Sequence, residues 1–186
     1  MLKNSLHPDG ITRRTLLKCS AGGVFSMLPI TRALADVLSE LSPDTMVTIE
    51  EFTPDGNSSG VRRAARVVKT DSEWRAILPA DSYRVARLGE PDHPYTGDLW
   101  NAHKAGIYRC LCCDTALFDS KCKFESGTGW TSFWQPISAL NIRRGDGTFT
   151  CTRCAAHLGL VIADGPEPTG LRFSAYTLTL KFEART

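Results

Sequence analysis

Two Cys-x-x-Cys pairs place the strongest constraint on how this chain folds. Cys110 and Cys113 form the first pair, and Cys151 and Cys154 form the second. Each pair supplies two sulfur atoms from one tight turn, so two pairs provide the four thiolates of a tetrahedral zinc site with Zn–S distances of about 2.3 Å. Four cysteines leave no open coordination position, which predicts a structural zinc. The gap between the pairs is longer than in common zinc ribbons, so two local disulfides or a thioredoxin-like redox pair remain alternatives.

Two further cysteines accompany these pairs. Cys112 lies inside the first pair, but Cys113 completes the two-residue spacing and is therefore the predicted ligand. Cys122 is the candidate for a redox thiol, although a lone cysteine is more often a small, buried, apolar residue.

The first 35 residues have the features of a bacterial twin-arginine signal peptide. Arg13 and Arg14 precede a modest apolar stretch at 20–30, and an Ala-Leu-Ala segment that ends at Ala35 supplies the cleavage site. The apolar stretch is shorter than the ~20 residues that a membrane-spanning helix needs. We therefore expect a periplasmic protein that uses the twin-arginine export machinery. This route carries folded proteins, so zinc can be bound before export.

The charge balance argues against a nucleic-acid partner. The chain carries 22 Lys and Arg against 20 Asp and Glu. Loss of residues 1–35 removes five basic residues and one acidic residue, which leaves 17 against 19 and a net charge of about −2. Basic residues do not cluster with aromatic ones, so we expect no binding to nucleic acid. The remaining ~150 residues are enough for one domain with a proper core, and we expect a monomer.

Residues 36–69 are predicted to be an N-terminal linker followed by two strands. The β-branched segment at 46–52 is typical of a strand, and a returning strand is predicted at 61–69 after a turn at 56–60. Residues 70–186 form the predicted main domain.

The main domain is predicted to begin with two short helices and to continue as β-structure. Thr70 and Glu73 form a capping box for the first helix, and the second runs from about 81 to 88 with Gly89 as its C-terminal cap. A hairpin is predicted from segments 137–144 and 148–151, and segment 171–182 is predicted to be one terminal core strand. The fold class is therefore mainly β, with helices on the N-terminal side.

Four motifs between and after the cysteine pairs resemble those of the B-type methionine sulfoxide reductases, which reduce the R epimer of methionine sulfoxide in proteins. These are Gly-Trp-Thr-Ser-Phe at 129–133, His-Leu-Gly at 157–159, Asp-Gly-Pro at 164–166 and Leu-Arg-Phe-Ser at 171–174. The resemblance covers about residue 72 to the C-terminus and implies two antiparallel sheets with a structural zinc on the two cysteine pairs. It also implies methionine-sulfoxide-containing proteins or peptides and a thioredoxin-like reductant as partners.

The resemblance also assigns a role to individual residues. Trp130 and Phe133 match the motif whose tryptophan forms an apolar wall for the methionine methyl group, a task that suits an aromatic face. The resemblance also assigns catalytic positions to His157, Asp164 and Arg172 and a substrate-binding position to Tyr176. Each also has a structural interpretation, because a lone histidine is often only hydrogen-bonded and an Asp beside Gly-Pro can cap a turn.

The catalytic position departs from the family pattern. Ser174 stands where the family has its nucleophilic cysteine, Leu160 replaces the second histidine, and Tyr176 replaces an asparagine. Sulfoxide reduction leaves the oxygen on a cysteine as sulfenic acid, and serine cannot take up oxygen in this way.

Three hypotheses follow. In the first, the protein acts on oxidised methionine in exported proteins through a relocated thiol such as Cys122. In the second, it is a non-catalytic periplasmic zinc domain that binds methionine or methionine sulfoxide, and in the third it is a purely structural zinc domain. A purely structural zinc domain would leave Trp130, His157 and Arg172 unexplained.

Overall fold

The computed structural model describes residues 45–185. The predicted signal peptide and the first part of the linker lie outside the described residues. An antiparallel hairpin of β1 (Met46–Phe52) and β2 (Ser58–Ala65) opens the described part. Strand β1 has the predicted bounds. Strand β2 begins and ends earlier than predicted because the turn closes at Asn57, whose carbonyl accepts the Thr53 N–H at 3.0 Å.

Two helices follow, α1 (Asp71–Ile77) and α2 (Ala80–Leu88). The predicted capping box is confirmed, since Thr70 accepts from the Glu73 N–H and the Glu73 carboxylate accepts the Thr70 N–H at 2.7 Å. Gly89 ends α2 in the left-handed conformation, with φ of 77°, as a glycine cap requires. Neither helix within residues 45–185 has the length and apolar content to cross a bilayer.

Nine short strands make up two further sheets, and every strand pair is antiparallel. They are β3 (Gly106–Cys110), β4 (Ala116–Asp119), β5 (Lys123–Phe124), β6 (Thr131–Phe133), β7 (Ile142–Gly145), β8 (Thr148–Cys151), β9 (His157–Ile162), β10 (Arg172–Ala175) and β11 (Leu180–Ala184). One sheet has the order β5-β6-β10-β9-β8-β7 and the other β11-β3-β4. The prediction of a mainly β fold with antiparallel sheets and few helices is confirmed, with the β1–β2 hairpin as an additional sheet.

Aromatic side chains join the two larger sheets. Phe118 of β4 stacks on Phe133 of β6 with ring centroids 4.1 Å apart, and its ring also lies 5.8 Å from Phe149 and 6.0 Å from Phe173 of the six-stranded sheet. All four are almost completely buried. Truncation of a buried phenylalanine to alanine typically costs about 3–5 kcal/mol, so this layer contributes substantially to the packing of the two sheets.

The predicted single strand at 171–182 is wrong. The segment is broken by a 3₁₀ turn at Thr177–Thr179, where Thr179 Oγ1 donates to the Tyr176 carbonyl at 2.8 Å. Strand β10 lies inside the six-stranded sheet and β11 lies in the three-stranded sheet. Alternating apolar residues are compatible with either sheet, so the sequence pattern does not reveal that the chain crosses from one to the other.

The predicted hairpin at 137–151 is shorter at its start than expected. Strand β7 begins only at Ile142 because residues Ala139–Asn141 form a 3₁₀ turn. Asn141 is fully buried, and its side-chain amide donates to the carbonyls of Glu50 and Ala116 at 2.8 Å each. This side chain links the 3₁₀ turn to β1 and β4.

Candidate substrate cavity and metal centre

The four cysteines of the two pairs meet in one cluster. Their sulfur atoms all lie within 4.8 Å of one another. The closest contacts join the pairs, with 3.6 Å between the sulfurs of Cys110 and Cys154 and 3.5 Å between those of Cys113 and Cys151. A tetrahedron with Zn–S bonds of about 2.3 Å has an edge of about 3.8 Å, so this donor set fits a zinc ion. All six cysteines in residues 45–185 are free thiols.

The two halves of this cluster are built alike. The backbone carbonyl of Cys110 accepts from the Asp114 N–H and that of Cys151 accepts from the Ala155 N–H, both at 2.9 Å. Asp114 and Ala155 each take the left-handed conformation, with φ of 67° and 55°. Each turn therefore folds back sharply and directs its two sulfurs to the same side. Cys112, which lies inside the first turn, is not one of the four clustered sulfurs and packs between the main core and the cluster of Trp74, Leu78 and Tyr83.

A second candidate site is a cavity of about 500 Å³ on the six-stranded sheet. Its walls come from the loop after α2 (Pro91, Asp92, His93 and Pro94), from Thr128 and Trp130 before β6, from Leu160 and Ile162 of β9, and from Arg172, Ser174 and Tyr176 in and after β10. Most of these walls are hydrocarbon or aromatic. Such a lining with a few polar groups is typical of small-ligand sites.

Ser174 lies at the centre of the sheet and faces this cavity. It pairs with Ser132 of β6 on one side and with Leu160 of β9 on the other. The residue is only 3% exposed, and no hydrogen-bond partner faces its hydroxyl within the described chain. Close packing fixes β9 here, because a Cβ on Gly159 would lie 2.0 Å from the Ser174 carbonyl oxygen.

Trp130 is held in place by a buried carboxylate. Its indole Nε1 donates to Asp92 Oδ1 at 2.7 Å, and Asp92 Oδ2 accepts the Leu178 N–H at 3.3 Å. Asp92 is 5% exposed, and burial raises the pKa of its carboxyl above the ordinary value. Sequence reasoning missed Asp92. The available signal was an acidic residue in the Pro-Asp-His-Pro segment, whose partner lies 38 residues further along the chain.

The loop that carries Asp92 is pressed against the turn that carries Trp130. The Tyr95 N–H donates to the Gly129 carbonyl at 2.7 Å. A Cβ on Gly129 would lie 2.9 Å from Pro94 and Tyr95, and Gly129 has φ of 83°. Only glycine fits this approach without strain, as the Gly-Thr-Gly sequence predicts.

Arg172 and Asp164 form a two-point ion pair at the edge of the cavity. Arg172 donates from Nε and Nη2 to the two Asp164 oxygens at 2.8 and 2.7 Å, and from Nη1 to Thr128 Oγ1 at 3.5 Å. The guanidinium lowers the pKa of the Asp164 carboxyl below its ordinary value. Three N–H groups of Arg172 are therefore already used within the protein.

Three other predicted residues lie outside the cavity lining. His157 is half-buried on β9, its ring centroid is 5.4 Å from that of Tyr176, and burial lowers its pKa. Phe133 belongs to the core between the sheets. Cys122 is 6% exposed, accepts from Gln135 Nε2 at 3.5 Å, and has a pKa raised by burial. A buried thiol with a raised pKa is mostly protonated near neutral pH and is a poor nucleophile.

Comparisons with known proteins agree with the resemblance that the motifs suggest. A model described as the SelR domain matches residues 78–184, more than half of the chain. The chain is 42% identical over 127 residues to a peptide methionine sulfoxide reductase MsrB of Herminiimonas arsenicoxydans, covering 64% of this chain and 93% of that protein. An MsrB of Pseudomonas putida (strain W619) is 44% identical over 128 residues, with 64% and 96% covered. The chain belongs to the MsrB family.

The residues that differ from the MsrB motifs line a single cavity. Leu160, Ser174 and Tyr176 all line the same cavity, although the first two belong to different strands. Trp130 and Arg172, which match the family pattern, line it as well. In this MsrB-family chain, residues that match the motifs and residues that depart from them therefore line one and the same cavity.

Proposed function

We propose that this chain is a non-reducing member of the MsrB family that binds methionine side chains, reduced or oxidised, in exported proteins. The observation that carries the proposal is the convergence of Leu160, Ser174 and Tyr176 on one cavity of about 500 Å³. A cavity of this size lies within the range of about 300–1,000 Å³ for small-ligand sites and accommodates a methionine side chain.

The chemical argument against turnover concerns the oxygen acceptor. A cysteine thiolate attacks the sulfoxide sulfur and ends as a sulfenic acid that carries the oxygen. The Ser174 hydroxyl has no corresponding oxidised form. Cys122 does not line the cavity, and its burial keeps the thiol protonated. Neither group supplies a thiolate to a substrate in this cavity.

The argument for binding concerns Trp130. Its ring is held by the hydrogen bond to Asp92 and by the close contact of the Gly129 and Tyr95 backbones. A rigid aromatic wall loses little entropy when a ligand binds, and sulfur packs favourably against aromatic rings, by about 0.3–1.5 kcal/mol. The retained wall supports recognition of a side chain with a methyl group on sulfur.

The proposal includes a structural zinc. Cys110, Cys113, Cys151 and Cys154 would hold the ion, which joins the end of β3 to the end of β8 and stabilises the fold. All four ligands come from the protein, so the zinc has no position left for a substrate.

The proposal also includes a periplasmic location, with export through the twin-arginine route. Arg13→Lys combined with Arg14→Lys in a tagged precursor should prevent the appearance of the processed form in the periplasmic fraction. Processed periplasmic protein from this variant would contradict the proposed route.

The functional test combines binding and turnover. Calorimetric titration of the full chain with N-acetyl-methionine methylamide and with its R-sulfoxide should give saturable binding, weakened at least about tenfold by Trp130→Ala. Trp134→Ala is the matched control, because Trp134 lines a different cavity. Incubation with dithiothreitol should leave the R-sulfoxide unchanged. Disappearance of the R-sulfoxide that is abolished by Cys122→Ser would instead establish a relocated nucleophile.

A further inference from the structure

A second cavity lies on the other side of strand β10 from the one that contains Ser174. Its volume is about 410 Å³, and the two cavities share no lining residue. Phe173 lines the second cavity, whereas Arg172 and Ser174 line the first, because successive side chains of a strand point to opposite faces. A ligand of the second cavity therefore does not compete with methionine for space.

The wall of the second cavity is mostly hydrocarbon and aromatic. Two of its residues, Ile142 and Phe173, are buried and belong to the core, so the packed core holds this part of the wall in place without a ligand. A preformed apolar cavity of this size is within the range typical of small-ligand sites and favours a ligand with a hydrocarbon body. The apolar residues of the wall are Trp134, Pro136, Ala139, Ile142, Leu171 and Phe173.

The two uncharged polar residues of this wall are already engaged within the protein. Thr169 Oγ1 donates to the Trp134 carbonyl at 2.6 Å and accepts the Leu171 N–H at 3.2 Å. Gln135 Nε2 donates to Cys122 Sγ at 3.5 Å. The contacts of Thr169 join the segment before β10 to the end of β6, which fixes one side of the cavity.

Among the described residues, Arg144 is the only charged one on this wall. It lies on the same face of β7 as Ile142, because the two are separated by one residue of the strand. Arg144 is exposed at the mouth of the cavity and makes no hydrogen bond or ion pair within residues 45–185. A guanidinium has five N–H donors and can bind a carboxylate through two parallel hydrogen bonds. The cavity therefore combines an apolar interior with a free cation at its opening.

We propose that this second cavity binds a fatty acid, an unbranched hydrocarbon chain that ends in a carboxylate. The hydrocarbon chain packs against the apolar wall, and the carboxylate pairs with Arg144 at the mouth. A ligand with an ammonium group would bring two cations together, and an uncharged ligand would leave the guanidinium unused. This site is independent of the proposed binding of methionine, since it uses none of the same residues.

The test compares ligands that share one hydrocarbon chain and differ in charge. The full chain is titrated calorimetrically with decanoate, decanol and decyltrimethylammonium. We expect saturable binding of decanoate, tighter than that of shorter fatty acids by up to about fourfold for each methylene group. Arg144→Gln should weaken decanoate binding about fivefold, as expected for an ion pair in contact with water, and should leave decanol binding unchanged. Arg144→Glu should reverse the preference in favour of decyltrimethylammonium.

The matched control is Arg143→Gln. Arg143 is also exposed and carries the same charge, but it lies on the other face of β7 and does not line the cavity. Its variant should bind decanoate within about twofold of the natural protein, because salt screens a charge that makes no contact. Ala139→Phe narrows the cavity and should weaken decanoate and decanol alike. Circular dichroism verifies that all variants are folded.

Two results would overturn the proposed site. One is the absence of decanoate binding, and a natural protein that is then a dimer in light scattering would assign the cavity to a second copy of the chain. The other is an equal loss of decanoate affinity in Arg143→Gln and Arg144→Gln. Neither result would affect the proposed function, which is measured with methionine peptides in the other cavity.

Discussion

Ser174 and Leu160 lie directly opposite each other on neighbouring strands of the six-stranded sheet. Directly opposed side chains in an antiparallel pair are about 4.5–5.5 Å apart at Cβ. The motif resemblance assigns the nucleophile position to Ser174 and the second-histidine position to Leu160, and these two positions are adjacent in the structure. Both line one cavity, as does Tyr176.

The first prediction is that reductase activity returns only when these positions are restored together. Ser174→Cys supplies an oxygen acceptor, and Leu160→His supplies a proton donor, which typically accelerates a reaction by about 10²- to 10⁴-fold. The triple variant that also contains Tyr176→Asn should reduce the R-sulfoxide with dithiothreitol, as followed by chromatography of the two epimers.

Two comparisons control this prediction. Ser174→Cys alone should recover less activity than the triple variant, because residues of one site act as a unit. Cys122→Ser in the triple variant should leave the activity unchanged. A folded triple variant with no activity would show that the cavity has diverged beyond these three positions.

The second prediction concerns the metal centre. Serine at Cys110 or Cys154 should lower the zinc content, measured by elemental analysis, and should lower the melting temperature, because metal binding contributes directly to folding. Cys112→Ser is the matched control and should retain one zinc per chain, since Cys112 is not among the four clustered sulfurs. A folded natural protein without metal and with two disulfides would contradict the prediction.

The third prediction concerns the residue that sequence reasoning missed. Asp92→Ala removes the carboxylate that accepts from the Trp130 indole at 2.7 Å and leaves it only the backbone carbonyl of residue 92, at 3.3 Å. We expect affinity for N-acetyl-methionine methylamide to fall about tenfold, the equivalent of roughly 1.4 kcal/mol. Asp92→Asn keeps one carbonyl oxygen and should restore part of the affinity. Equal affinity for all three proteins would mean that Trp130 does not need this anchor.

The fourth prediction tests the strained turn in the second cysteine pair. Ala155 has φ of 55°, where a Cβ is unfavourable, so Ala155→Gly should stabilise the protein by about 0.5–1 kcal/mol after the entropy of glycine is subtracted. Ala156→Gly is the control and should destabilise, because Ala156 is completely buried in the core. Urea denaturation at constant zinc concentration measures both changes.

Local features of the fold were predictable because their interactions lie within a few residues. Thr70 and Glu73 cap α1 through hydrogen bonds that span three residues, and Gly89 ends α2 through its own backbone conformation. The bounds of strand β1 were also predicted correctly, because its β-branched residues are contiguous in the sequence. The break after Ala175 was not predictable, because segment 171–182 has the same alternating pattern whether it lies in one sheet or in two.

The sequence by itself determined which reactive and recognition groups this protein has: four cysteines in two pairs, a tryptophan in a glycine-rich turn, and a serine at the position where the motif resemblance expects a thiol. The tertiary structure decided which groups meet. Asp92 reaches Trp130 across 38 residues and Leu178 across 86, and the burial of Cys122 away from the cavity also depends on distant segments. The sequence specifies residue types and the short spacings between them. A cavity forms only after strands that are distant in sequence have paired and packed.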